Sequence, residues 1–340
     1  MNAKIISKVM AMFFLVIVVF TNCSSQTHIP DKISGMLLYI EDLNGDGGSM
    51  DGDFSDIVAF DIDKKQRYIL TNDSYYDDFP TYSKSSNRIY FESKRENYIP
   101  VLGMSSKSGI YYLDLTKKTI KSFSKEEKDN LGKNISRIEL SDPSISFTGN
   151  KLLFLADTVN DSINHQLLMY DYPSKKYQLL NDTLFRSYKF IWDESETQIA
   201  FQGQDEEMMS ITNHISILDI KTKDVKNIIH IQGMKNNLGD FKYGKLLYIS
   251  ETADNNDESN IYILNTKVDE KKEIGSVQEM GFEEIKAPVF KDEYTIFFIG
   301  CKDVGKDDFY EDIYEMNLTT KEITQITFTN NEKKRLKYYE

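Results

Sequence analysis

The chain has 340 residues, of which 40% are hydrophobic and 12% aromatic, and it carries a formal net charge of −13. Phosphate binding needs a basic surface, and no basic patch with interleaved aromatic residues stands out along this chain. Nucleic acid is therefore excluded as an expected partner. The acidic balance also gives the chain no attraction to an anionic lipid surface.

The N-terminus has the layout of an export signal. Residues 1–8 contain Lys4 and Lys8 and no acid, and residues 9–20 are apolar and uncharged. A helix over this apolar run would rise about 18 Å, which is well short of the roughly 30 Å of a bilayer core. We therefore predict a signal peptide over residues 1–22 that is removed on export.

A cysteine follows the apolar run. The segment Thr21–Ser25 contains Cys23 and resembles the looser lipobox of Bacteroidetes-type lipoproteins, in which the cysteine is diacylated and becomes the first residue. The resemblance implies a lipid on Cys23, a tether over residues 23–32 and a place in the cell envelope. We expect the periplasmic side of the outer membrane, with membrane contact through the lipid only. An ordinary secretory signal with a coincidental cysteine is the alternative.

An acidic loop follows the first predicted strand. Within residues 42–53, oxygen-bearing side chains stand at positions 1, 3, 5 and 12 of the loop, with glycine at position 6. The four oxygen-bearing residues are Asp42, Asn44, Asp46 and Asp53. EF-hand calcium loops use this order, so Ca²⁺ is the one cofactor that the sequence suggests. Position 12 is Asp rather than Glu, and predicted strands flank the loop, so a plain acidic hairpin is the alternative.

A two-part sequence motif repeats along the rest of the chain. Its first half is a turn and a short apolar strand, as in Ser146–Phe154, and its second half is a strand that ends in Asp or Asn, as in Ile215–Asp219. These terminal residues lie 46 to 57 residues apart, at Asp61, Asp114, Asp171, Asp219, Asn265 and Asn317. Short runs rich in Ile, Leu, Tyr and Phe between turn residues predict strands rather than helices. Six units of four antiparallel strands predict an all-β, six-bladed β-propeller over residues 33–340.

The repeats are similar to the WD40-like repeats of the TolB-type six-bladed propellers. That family's phrase, Pro-x-aromatic-Ser before a turn and an apolar strand, is matched in part at Phe79–Ser83, Asp142–Ser146 and Ala287–Phe290. The resemblance extends from about Ile33 to the C-terminus and implies the same propeller. TolB also carries an N-terminal α/β domain, for which this sequence leaves only residues 24–32. An identical role in the Tol system is therefore not implied.

The first unit lacks an innermost strand. Met36–Ile40, Ile57–Ile62 and Gln66–Leu70 fit the second, third and fourth strands of a blade, and no first-strand phrase precedes Ile33. Arg335–Tyr339, at the other end of the chain, has the spacing of the missing strand. We therefore predict that the C-terminal strand completes the first blade and closes the ring.

The sequence contains no recognisable catalytic set. It has no Gly-x-Ser-x-Gly motif, and its histidines are scattered at His28, His165, His214 and His230. Cys301 ends an apolar run, as a buried structural thiol would. We therefore predict not an enzyme but a monomeric binding scaffold for an envelope protein or peptide. A surface carbohydrate-binding module and a lyase or hydrolase built from propeller loops remain as alternatives.

The loops that lead into the innermost strands are predicted to gather at one mouth of the central channel. Five acids there are predicted to bind the partner: Asp77, Asp78, Asp142, Glu283 and Glu284. Carboxylates that face a shared cavity would focus a negative potential and attract a cationic peptide segment or a metal ion. Alternatively, these acids only keep the loops soluble.

Overall fold

The computed structural model describes residues 25–26, 29–43, 55–73, 75–95, 108–123, 139–157, 165–181, 187–204, 213–230, 234–252, 259–303, 309–329 and 331–340. Within these ranges the strands are β1 (Ser25–Gln26), β2 (Met36–Glu41), β3 (Asp56–Asp61), β4 (Gln66–Ile69), β5 (Asp77–Ser83), β6 (Arg88–Ser93), β7 (Gly109–Asp114), β8 (Thr119–Ser122), β9 (Glu139–Ile145), β10 (Lys151–Asp157), β11 (His165–Asp171), β12 (Lys176–Asn181), β13 (Ser187–Trp192), β14 (Gln198–Gln204), β15 (Asn213–Asp219), β16 (Val225–Ile229), β17 (Met234–Lys242), β18 (Lys245–Thr252), β19 (Ser259–Asn265), β20 (Glu270–Ser276), β21 (Glu284–Asp292), β22 (Thr295–Asp303), β23 (Phe309–Asn317), β24 (Ile323–Gln325) and β25 (Lys333–Tyr339). The described part contains no helix that is long and apolar enough to span a membrane. The predicted signal peptide and Cys23 lie outside the described residues.

The strands form six sheets, arranged as the blades of a propeller. Five blades use four consecutive strands each, β5–β8, β9–β12, β13–β16, β17–β20 and β21–β24, and the first strand of each is the innermost. The first blade has the order β25-β2-β3-β4, and the short β1 pairs in parallel with the outer edge of β4. The six-bladed, all-β propeller predicted from the repeats is confirmed.

The middle strands of each blade are apolar because both of their faces pack on neighbouring blades. Side chains of β2 alternate between the two interfaces. Leu37 and Tyr39 pack with Phe297 of the sixth blade, whereas Leu38 packs with Phe91 of the second blade. All residues of β2 and β3 are buried, while the outermost strand β8 alternates between exposed and half-buried residues. The apolar runs of the sequence therefore correspond to the middle strands of the blades, which are buried between two neighbouring blades.

The C-terminal strand completes the first blade, as predicted. β25 pairs antiparallel with β2, and Tyr339 lies opposite Met36. The strand also contacts both neighbouring blades. The Glu311 carboxylate of the sixth blade accepts a 2.7 Å hydrogen bond from the Lys333 amide. In the second blade, the Tyr82 amide donates a 2.9 Å hydrogen bond to the Tyr339 hydroxyl. Ring closure therefore depends on this last strand.

Each innermost strand contains a β-bulge at the same place in its repeat. In five blades the first bulge residue has a left-handed backbone, with φ from 45° to 59°, at Phe79, Asp142, Lys189, Ala287 and Arg335. This conformation is unfavourable for residues with a Cβ and persists only where the surrounding fold imposes it. The bulge bends the strand and re-aims its side chains. All of these bulge residues except Ala287 line the central cavity.

Candidate functional site

A cavity of about 330 Å³ lies on the axis of the propeller, and the innermost strands of all six blades contribute to its wall. Every lining residue lies at a bulge or beyond it along the strand. The cavity therefore opens where the innermost strands end. We call this side the C-terminal mouth; its rim residues are Lys84, Phe147, Glu194, Tyr243 and Glu340. The opposite side, where the innermost strands begin, is the N-terminal mouth, with Asp77, Glu139, Ser187, Met234, Glu284 and Lys333.

The cavity has a floor at the level of the bulges. There the Arg335 guanidinium carbon lies 3.8 Å from the centre of the Phe79 ring. Arg335 Nε also lies 3.1 Å from the Asp78 carboxylate, which links the first and second blades. Because these side chains cross the junction of two blades, they narrow the channel at this level.

The walls above the floor carry aromatic side chains. The Trp192 ring is buried, and its Nε1 donates a 3.1 Å hydrogen bond to the Ser144 carbonyl of the preceding blade. At the rim, the Phe147 side chain is 45% exposed, although it is large and apolar. An exposed aromatic residue beside an enclosed cavity is typical of a surface that meets a ligand.

Lysine side chains provide the positive charge of the cavity. Lys189 and Lys337 line its centre, and no ion pair joins either of them to a carboxylate within the described ranges. The Lys189 ammonium donates to the Leu238 carbonyl. Burial, with the positive charges of Arg335 and Lys337, lowers the pKa of Lys189 to about 7. Burial likewise lowers the pKa of Lys337 to about 8. Both ammonium groups are therefore only partly compensated by the protein.

The two carboxyl groups that line the cavity near these lysines, those of Asp240 and Asp142, make no ion pair with them in the described part. The Asp240 carboxylate accepts hydrogen bonds from the Phe241 and Phe290 amides, at 2.9 and 3.0 Å. Burial and the neighbouring Glu92 raise the pKa of Asp142 to about 8, so this acid is largely protonated at neutral pH. Asp240 acts on both lysines, so the centre of the cavity holds two lysines whose charge the protein compensates in part, although the protein as a whole is acidic.

The five acids predicted to bind a partner are Asp77, Asp78, Asp142, Glu283 and Glu284, and of these only Asp142 lines the cavity. Asp77 and Asp78 lie in β5 rather than in a loop, and both are buried. Arg95 Nη2 donates a 3.0 Å hydrogen bond to Asp77, and Asp78 is paired with Arg335. Glu283 and Glu284 are exposed at the other mouth. Asp77 and Asp78 lie at the start of β5, and Glu283 and Glu284 lie at the start of β21, so these four are at the N-terminal mouth, whereas Asp142 lies at the bulge of β9. Their role in partner binding stays a prediction.

The candidate calcium loop falls mostly outside the described residues. Asn44, Asp46 and Asp53 are not described, and the Asp42 amide donates a 3.1 Å hydrogen bond to the Glu332 carbonyl. Among the residues that the structure describes, no group of three or more His, Cys, Asp or Glu side chains could hold a metal ion. Calcium binding by this loop stays a prediction.

Cys301 is buried, as predicted, and burial raises its pKa to about 11. A thiol with a raised pKa is a poor nucleophile at neutral pH. The described geometry therefore fits a structural rather than a reactive cysteine.

Sequence reasoning missed the lysines of the cavity. In the structure Lys189 lies at the bulge of β13, and Phe190 occupies the place that Pro80 and Pro143 have in their repeats. A usable signal was present in the basic run Lys333–Lys337, which is unusual in an acidic chain. This basic run could indicate lysines in the cavity only once β25 was known to line the channel.

Solved structures share this fold at low sequence identity. TolB from Acinetobacter baumannii is 14% identical, with a TM-score of 0.62 over 91% of this chain and 68% of that chain. A putative TolB from Agrobacterium tumefaciens is 12% identical, with a TM-score of 0.58 over 87% and 90% of the two chains. An oligogalacturonate lyase from Vibrio parahaemolyticus is 11% identical, with a TM-score of 0.55 over 89% and 78%. No family model and no curated protein sequence matches the chain. The chain therefore has the propeller fold of the TolB proteins, and the oligogalacturonate lyase has a similar structure.

Proposed function

We propose that the chain is a lipid-anchored envelope protein that uses its propeller as a binding scaffold, with the central cavity holding a segment of a protein or peptide. The observation that carries this proposal is the cavity itself. Its volume of about 330 Å³ falls in the range of roughly 300–1,000 Å³ that is typical of ligand pockets. Its wall combines aromatic side chains with lysines that the fold leaves without an ion-pair partner in the described part.

The architecture of the cavity favours an extended peptide as the ligand. Each innermost strand hydrogen-bonds to a second strand on one side only, so its other edge faces the axis. A strand edge offers main-chain donors and acceptors that an extended peptide can use. Six such edges surround the cavity and would bind a peptide backbone with little dependence on its sequence.

The membrane anchor and the periplasmic location rest on the sequence around Cys23. A diacylated cysteine followed by a short polar tether would hold the propeller near the membrane while leaving both mouths accessible. In this arrangement the lipid sets the location of the propeller and the cavity binds the partner.

An enzyme is the second candidate, and one observation favours it. The Lys189 amine has a pKa of about 7 and lies in a cavity, and a general base at neutral pH requires this combination. A solved oligogalacturonate lyase has a similar fold. If the chain is a lyase, wild-type protein should form unsaturated products from oligogalacturonate, and Lys189→Met should not.

Photo-crosslinking in living cells tests the binding proposal. A photoreactive amino acid would replace Phe147 at the C-terminal mouth, and a control would replace Val268, which is 64% exposed in the turn between β19 and β20. We expect an envelope protein or peptide crosslinked to position 147 and absent at position 268. The same products at both positions, or none at position 147, would contradict a partner bound in the cavity.

A further inference from the structure

Two lysines reach into the cavity from opposite sides of the ring. Lys189 belongs to β13 of the fourth blade and Lys337 to β25 of the first blade, and these blades face each other across the axis of a six-bladed ring. Both line the same cavity, and the charge of Lys337 acts on Lys189. The fold thus brings two positive charges together at the centre of an acidic protein.

This arrangement costs folding free energy, and an anion that joins the lysines would reduce that cost. Like charges repel each other, and an ammonium group withdrawn from water loses solvation. The protein compensates the lysines only in part: the Asp240 carboxylate acts on both of them but accepts its hydrogen bonds from two main-chain amides, and Asp142 holds a proton. The Asp78 carboxylate is paired with Arg335. A group on a ligand is therefore the expected counter-charge.

The shape of the cavity indicates how that group arrives. A chain that enters through the C-terminal mouth meets Arg335 and Phe79 at the level of the bulges, where the cavity ends. An extended peptide that pairs with the strand edges would bring its last residue to this level. The free C-terminus of a peptide carries a carboxylate at that point, and a lysine pair can donate hydrogen bonds to its two oxygens.

We propose that Lys189 and Lys337 form a subsite for the C-terminal carboxylate of the bound peptide. This inference rests on the proposed function, since it names the ligand group that the same cavity recognises. Peptide residues that precede the carboxylate would lie toward the rim, near Phe147.

Two peptide pools test the subsite. Full-length lipoprotein, immobilised in detergent, would be incubated with random six-residue peptides that carry either a free or an amidated C-terminus, and retained peptide would be measured by mass spectrometry. We expect about tenfold greater retention of the free-acid pool, as a charge-assisted hydrogen bond would give. The double variant Lys189→Met with Lys337→Met should bring this ratio to about one. Lys226→Met, in the outermost strand β16, is the matched control and should leave the ratio unchanged.

Thermal melts of each variant would confirm that it is folded. Equal retention of the two pools by the wild type, or an unchanged ratio in the double variant, would overturn the subsite. Failure of the proposed function gives a different result, because neither pool would then be retained. Lysine-dependent retention of oligogalacturonate without retention of peptide would also overturn the proposal and assign the lysines to an acidic glycan.

Discussion

The two mouths of the channel use charge in opposite ways. At the N-terminal mouth, two charged residues are buried and paired: Asp77 is fully buried against Arg95, and Lys333 is fully buried 3.4 Å from Asp312. On the side of the C-terminal mouth, Lys189 lines an open cavity without such a pair in the described part. The difference separates charges that hold blades together from charges that are available to a ligand.

Position relative to the bulge explains this difference. Before the bulge, side chains of adjacent blades are close enough to pair, as the Lys333 ammonium does with Asp312 of the sixth blade at 3.4 Å. From the bulge onward, side chains of the innermost strands line the cavity instead. Substitutions at the N-terminal mouth should therefore change stability, whereas those in the cavity should change binding.

The largest expected effect comes from removing most of β25, the strand that runs from the N-terminal mouth to the cavity. Deletion of residues 335–340 removes the buried Leu336 and the Tyr339 hydroxyl that bonds to the second blade. It also exposes the edge of β2 and the apolar faces of both neighbouring blades. We expect the melting temperature to fall by on the order of 10 °C or more. Deletion of Glu340 alone is the control, and an equally small change in both proteins would count against a closed ring.

The next largest effect is expected at the N-terminal mouth. Arg95→Met leaves the buried Asp77 carboxylate without the guanidinium that compensates it, at a cost of about 3 kcal/mol of unfolding free energy. Lys334→Met is the matched control, because its ion pair with Glu332 is about half exposed and should contribute less than about 1 kcal/mol. Denaturant unfolding measures both, and equal effects of the two substitutions would remove the distinction between buried and exposed pairs.

An effect of opposite sign is expected in the cavity. Burial lowers the pKa of Lys337 from 10.5 to about 8, so the unfolded chain takes up this proton at a higher pH than the folded protein does. Wild-type stability should therefore fall as the pH drops from 10.5 to 8, and then level off. Lys337→Met should melt at a higher temperature than the wild type at pH 7, with the difference vanishing near pH 10.5. A variant that melts lower than the wild type at pH 7 would show that Lys337 stabilises the fold.

The blades could be predicted from the sequence because the residue pattern of a buried strand and its flanking turns is local. A strand buried on both faces needs an unbroken apolar run, such as Leu37–Ile40, and the turns between strands need polar residues. The closing strand was also predictable, since the first unit lacked one strand and Arg335–Tyr339 had its spacing. These inferences depend on periodicity alone.

The cavity could not be predicted in the same way, because side-chain direction at the innermost strands depends on the bulges. Asp77 and Asp78 follow two tyrosines in a polar segment that looks like a loop, yet strand pairing and two arginines bury both acids. Lys189 looks like any solvated lysine until the bulge turns it toward the axis. Contacts between blades decide these positions, and residues far apart in the sequence make them.

Affinity capture with two charge-reversed double variants tests most directly whether the partner binds in the cavity. One variant carries Lys189→Glu with Lys337→Glu in the cavity, and the other carries Glu283→Lys with Glu284→Lys at the exposed N-terminal mouth. Both would be purified as folded full-length proteins from detergent-solubilised cells, in low salt, and the captured proteins would be quantified against the wild type. We expect the cavity variant to lose the partner and the N-terminal variant to retain it. Loss of the partner only in the N-terminal variant would contradict the account and assign binding to the acidic mouth.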